Sequence, residues 1–243
     1  MKNRLQILSK SNLYGKLLIY VILMQVVVVL ASESIFLTGD VNGSKYGGAI
    51  FSILDVVFYL YCTQLLKILG RRDLLIRTLQ IYAIVGLIIG LSVAYPFADL
   101  YSSTQKQILF PLFHLSNLVV DIIFIFYILK DIFQSPETEI DHIWGAIIVY
   151  FLIILSFAEV FELILLLKDQ NLLGKPYEIG YPSYIQALMF SQNSIAGMDS
   201  IYPEAHDFMK KIANLENISG NLFLTVILGR LLSVPIKKAL RKS

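Results

Sequence analysis

The chain has 243 residues, 56% of them hydrophobic and 16% charged, and its mean hydropathy is +0.69; an average soluble domain is about 25% charged. Net charge is only +2 and the isoelectric point about 8.5, so the placement of charges is more informative than their total. A lone cysteine, Cys62, excludes an internal disulfide and thiol-based zinc or redox motifs, and His114, His142 and His206 share no ligand spacing; neither a metal nor a cofactor is expected.

A membrane-spanning helix needs about 20 mostly apolar residues. Six runs approach this in chain order: 17–31, 47–66, 78–95, 108–129, 143–167, and a final helix ending at Pro235. The first is short, which predicts that Lys16 snorkels and that the span extends toward Phe36. This run also has the outline of a secretory signal ending at Leu30-Ala31-Ser32, but its small-residue cleavage pattern is poor. Basic residues precede the first span (Lys2, Arg4, Lys10, Lys16), separate the second from the third (Lys67, Arg71, Arg72, Arg77) and follow the last (Lys237, Lys238, Arg241, Lys242). By the positive-inside rule both termini are cytoplasmic. The connection with Glu137, Glu139 and Asp141 is acidic where that rule wants basic residues, but carboxylates contribute little to it.

The second and fourth runs carry intramembrane carboxylates, Asp55 and Asp121. Such groups point to ion or proton handling, or to satisfaction by a neighbour; for Asp121 the expected donors are Gln80 or Asn117, while Asp55 lies nearer the outer surface. Between residues 108 and 129 there is no Lys or Arg. A voltage sensor needs several, because each charge moved through the field contributes only about 2.3 kcal/mol per 100 mV. In the fifth run, Glu159 and Glu162 are one turn apart, placed to cap an outer turret or touch a segment behind it.

Between the last two spans lies ALMFSQNSIAGMDSIYP, residues 187–203: a short amphipathic stretch followed by a turn of small and polar residues. Non-helical backbone at membrane depth is tolerated only where protein or a watery cavity surrounds it, so this stretch is predicted to dive in from outside and return. In the helix after it, Lys210, Asn214, Asn217 and Asn221 recur at four, three and four residues, one polar stripe. The stripe continues into Leu224, Leu228 and Leu232. A wet vestibule above an apolar constriction is an arrangement for gating by dewetting.

Residues 187–191, ALMFS, resemble the pore-helix signature of tetrameric potassium channels of the two- and six-transmembrane kind. Ser194 stands where that family has a threonine, and Ile201-Tyr202-Pro203 is similar to the segment after its filter. Leu215-Glu216, Gly220 and Leu228-Gly229-Arg230 resemble its inner helix. The resemblance covers residues 135–243. It implies an all-α membrane protein of six spans, with a re-entrant pore helix and filter loop between spans five and six. It divides the chain into a four-helix domain, 1–134, and a pore domain, 135–243.

Where the family reads T-V-G-Y-G-D, this chain has Ser194, Ile195, Ala196, Gly197, Met198 and Asp199, in a turn about two residues shorter. The implied filter is short, using the Ser194 hydroxyl, backbone carbonyls and a ring of Asp199 carboxylates. The pore lining is then Asn214, Asn217, Asn221, Leu224 and Leu228, and Gly220 is the hinge.

The function expected is a homotetrameric cation channel of the plasma membrane without voltage sensing. Its partners would be a permeating monovalent or other cation and membrane lipid, with no nucleic acid. Two further readings are a secondary transporter working through Asp55 and Asp121, and a non-conducting receptor or accessory protein that keeps the fold. An enzyme is not expected, since no metal motif or nucleophile–base pair is present.

Overall fold

The computed structural model describes residues 2–33, 41–93, 103–135, 140–168, 172–174, 180–198 and 202–233. Asp199, Ile201 and the stretch from Val234 through Pro235 to the C-terminal lysines lie outside these residues, as do Phe36, Glu137 and Glu139. Among the described residues the fold is all-α. Seven helices follow in order: α1 (Lys2–Glu33), α2 (Val41–Ile68), α3 (Asp73–Val93), α4 (Ser103–Gln134), α5 (Ile140–Leu167), α6 (Tyr181–Ile195) and α7 (Asp207–Ser233).

Four of them hold segments long and apolar enough to cross a membrane: Asn12–Leu30, Ala49–Ile68, Gln107–Gln134 and Ile140–Leu167. The chain is a membrane protein by that measure. The other two expected spans fall short of it for visible reasons. α3 runs up to residues outside the described set, and α7 opens with the polar stretch Asp207-Phe208-Met209-Lys210-Lys211.

Packing follows sequence order and then converges on α5. The α2–α3 connection is only a few residues, Leu69–Arg72, with the amide of Gly70 bonded to Lys67 O (3.1 Å) and that of Arg71 to Leu66 O (3.0 Å). So short a link makes α2 and α3 antiparallel neighbours. α5 packs against α4, α1, α6 and α7, and 61% of its span is buried within the chain. Tight approach to α4 and α1 is possible because Gly145 has no side chain: a Cβ there would lie 3.3 Å from both Ile128 and Tyr14. One apolar core runs from Leu17 and Phe58 through Phe124 and Leu152 to Ile185 and Ile227. It crosses the expected domain boundary at residue 134, so the two expected domains pack as neighbours along α4 and α5.

The outer faces are apolar too. On α4 the residues Ile108, Leu112, Leu115, Val119, Ile122 and Phe126 are all exposed, and their spacing of four and three makes one continuous stripe. Water would penalise such a surface by roughly 25 cal/mol per Å², whereas lipid does not.

Candidate functional site

α6 is 15 residues long, which at about 1.5 Å per residue gives about 22 Å. That is well short of the roughly 30 Å hydrocarbon core. The helix begins earlier than the ALMFS segment implies. Pro182, in its first turn, needs no amide partner there, and Ser183 Oγ accepts the Gly180 amide at 3.3 Å. Its apolar face is fully sequestered, with Ala187 and Leu188 at 0% exposure. Phe190 packs edge-on to Phe161 of α5, ring centroids 4.8 Å apart, and against Tyr202.

Side-chain hydrogen bonds hold α6 along its length. Ser183 Oγ donates to Glu162 Oε1 of α5 at 2.7 Å. Ser191 reaches Ile154 O of α5 at 2.8 Å and also hydrogen-bonds Glu216 of α7. At the C-terminus, Asn217 Nδ2 of α7 donates to Ser194 O at 2.9 Å. Glu162 and Glu216 are both at 0% exposure, and a buried carboxylate without such donors would cost several kcal/mol.

The expected filter residues prove to be the end of this helix. Ser194 and Ile195 are its last turn, and Ala196, Gly197 and Met198 close it. The Met198 amide donates to Asn193 O (3.0 Å) and the Gly197 amide to Ser194 O (3.1 Å), the paired bonds of a Schellman cap. Gly197 has φ +65°, a left-handed conformation that glycine adopts without steric cost. The Ser194 hydroxyl donates back to Phe190 O at 2.7 Å, so it bonds along its own helix. The amides of Ala196, Gly197 and Met198 and the carbonyl of Ser194 thus find partners within the helix end and on Asn217. Asp199 lies beyond the last described residue of this turn.

On α7 the buried residues are Met209, Glu216, Gly220 and Ile227, spaced seven, four and seven along one narrow stripe. A Cβ on Gly220 would collide with the Ile195 side chain, so this glycine lets α6 and α7 touch. α7 is a continuous helix through it. Away from that stripe Asn214, Asn221, Leu224 and Leu228 are exposed, and Asn217 is half-buried. Asn221 Nδ2 donates to Asn217 Oδ1 at 2.9 Å, and Lys210 Nζ to Pro203 O at 3.0 Å. Asn214, Asn217 and Asn221 therefore share one side of the helix, with Leu224 and Leu228 continuing it.

A second polar cluster fills the bundle. Asp121, at 0% exposure, accepts from Tyr59 Oη at 2.9 Å. The expected donors are engaged elsewhere: Asn117 Nδ2 donates to Glu159 Oε1 (3.2 Å) and Gln80 Nε2 approaches Thr63 Oγ1 (3.5 Å). Tyr82 donates to Asn117, and His114 Nδ1 pairs with Glu159 Oε2. Glu159 thus faces α4, while Glu162, one turn on, faces α6. Asp55 is half-buried on the wall of a cavity of about 80 Å³ that His114 and Glu159 also line. His114, Asn117 and Asp121 follow helical spacing, and that pattern was available in the sequence; the tyrosines that answer them were not singled out by it.

No group of three or more His, Cys, Asp or Glu suited to a metal ion occurs among the described residues. No protein-family model, curated protein or solved structure was found to match the chain.

Proposed function

We propose that the chain is one subunit of a homotetrameric cation channel with potassium-channel-like architecture and no voltage sensor. In this reading α1–α5 and α7 are the six spans, both termini are cytoplasmic, and α6 is a re-entrant half-helix entering from the outside of the plasma membrane. The observation that carries it is the junction of α6 with α7. A helix too short to cross the bilayer ends against the polar stripe of a longer one, through Asn217 and Ser194 O. Exposed amides within a spanning helix are costly toward lipid and favour a wet or protein-lined axis. Four copies of the stripe around such an axis would line a vestibule, and the α6 C-termini would direct the negative ends of their dipoles at a cation.

Single-channel recording of purified protein in bilayers under bi-ionic gradients tests the reading. Cation-selective unitary currents are expected; a protein that stays monomeric and silent would overturn it.

The cap on α6 favours a second reading, a non-conducting receptor or accessory protein. With Asn193 O and Ser194 O already accepting amide hydrogens, fewer carbonyls remain for an ion ladder. Fourfold assembly without currents would select this reading.

A further inference from the structure

We propose that the membrane edge where the α2–α3 turn meets α4 binds an anionic phospholipid, its phosphate held by Arg71. The inference needs only the membrane placement of the helices and does not rest on the channel reading.

α3 and α4 lie side by side and antiparallel here. Tyr82 Oη of α3 is 3.0 Å from Ser116 Oγ of α4, while Arg71, just before α3 begins, meets Tyr127 further along α4. On α3, Ile88, Ile84, Ile81 and then Arg77 are all exposed, and their spacing puts them on one face. The exposed stripe of α4 ends in Phe126, and the next position on that face is half-buried Lys130. Two lipid-facing apolar surfaces therefore end in cations at the same edge, where Lys67 and Arg72 are exposed as well. The nearby carboxylates are Asp73, which is exposed, and Asp131, which accepts from Tyr14 Oη at 3.4 Å. Among the described residues no ion pair joins a carboxylate to any of these cations.

Arg71 makes this edge more than a positive surface. Its guanidinium lies over the Tyr127 ring, Cζ 4.4 Å from the centroid, which fixes its plane. Nε is buried against the chain, so the donors left open to a ligand are the two Nη groups, which have no acceptor among the described residues. A planar fork of N–H groups matches two oxygens of one phosphate. A soluble anion would gain this charge contact alone. A lipid gains it and also lays its chains along Ile81, Ile84 and Ile88. Phosphatidylcholine brings the same phosphate but sets a quaternary ammonium near Lys67 and Arg72, so a lipid of net negative charge is favoured.

The test uses the full chain in detergent, with bound lipid counted by native mass spectrometry and fold integrity followed by thermal denaturation. The probes are phosphatidylglycerol, phosphatidylcholine with the same acyl chains, and inorganic phosphate. Saturable binding of phosphatidylglycerol is expected, about tenfold tighter than that of phosphatidylcholine and not displaced by inorganic phosphate. Arg71→Gln should bring phosphatidylglycerol down to the level of phosphatidylcholine. Arg72→Gln, at an exposed position that folding does not depend on, should weaken it by about fivefold. Lys211→Gln, exposed on α7, should leave it unchanged. Equal affinity for the two lipids, displacement by inorganic phosphate, full binding by either folded arginine variant, or an equal loss in Lys211→Gln would overturn the proposal.

Discussion

α5 and α7 are nearly equal in length, 28 and 27 residues, yet the chain treats them oppositely. α5 is 61% buried, and both its glutamates are answered from within the chain, Glu159 by His114 and Asn117 and Glu162 by Ser183. α7 buries only the stripe Met209, Glu216, Gly220 and Ile227 and turns Asn214, Asn221, Leu224 and Leu228 outward. α5 is completed by its own subunit. α7 presents a surface that is half amide and half leucine, suited to neither lipid alone nor water alone. The difference is one of exposure: polar groups on α5 hold the bundle, whereas on α7 Glu216 and Asn217 bond to α6 while Asn214 and Asn221 lie exposed.

The largest effect that would break this contrast is expected on α5. Glu159→Ala removes the acceptor shared by His114 Nδ1 and Asn117 Nδ2 and leaves both buried groups unanswered. A loss of about 3–5 kcal/mol is expected, read as a lowered midpoint of denaturation in detergent. Asn214→Ala, on the outward side of α7, should change that midpoint by no more than about 0.5 kcal/mol. Comparable losses for the two would show that α5 and α7 do not differ in this way.

Next is the seam between α6 and α7. Gly220→Ala drives a methyl group into Ile195, and overpacking of this kind costs about 1–3 kcal/mol. Ile195→Val, which shortens the side chain met by the new Cβ, should recover part of that loss in the double variant. Additive losses would mean that the two residues are not in contact.

These positions also show how far a sequence reaches. Long apolar runs were legible because lipid requires them; Asn12–Leu30, Ala49–Ile68, Gln107–Gln134 and Ile140–Leu167 overlap four of the expected spans. The short helix before α7 was legible in existence but not in extent. ALMFS marked its middle, whereas Pro182 and Ser183 begin it and Gly197 ends it. A glycine just past the last periodic residue is a helix-stop signal, and spacing borrowed from a family concealed it. Asp121 was legible as a buried carboxylate, but its donor Tyr59 lies 62 residues away, a distance no local pattern spans. Gly220 is expected from the sequence as a hinge, while the close approach of Ile195 from another helix, which its missing side chain permits, is a contact no local pattern reveals.

The outward side of α7 gives a middle-sized effect, one that sharpens the contrast through assembly. In a Cys62→Ala background, Asn221→Cys lies on the exposed amide stripe, and Ile227→Cys, at 3% exposure, on the inward one. Oxidative cross-linking in membranes is expected to join subunits through position 221 and not through 227. A reversed pattern would place the subunit contact on the face that the chain itself already covers. On the same side, Leu228→Asn should hydrate the proposed constriction and raise resting conductance. A leak equal to that of the parent would put the gate elsewhere.

The smallest effect concerns the single bond that joins the two regions at the tip of α6. Asn217 Nδ2 donates to Ser194 O at 2.9 Å, and Ser194 O also accepts the Gly197 amide. Because that carbonyl keeps one partner, removing the other does not orphan it. Asn217→Ala should therefore cost only about 1 kcal/mol, a shift near the limit of a denaturation curve. Asn221 loses its acceptor in the same variant, but it is exposed and finds another. Hydrogen exchange localises the consequence better than global stability does. The amides of Gly197 and Met198, which close the cap, should exchange several-fold faster in Asn217→Ala, while those in the middle of α6, near Ala187, keep their rates. Uniform acceleration along α6 would mean that Asn217 supports the whole half-helix. Unchanged rates at Gly197 and Met198 would mean that the cap is held by its own backbone bonds alone.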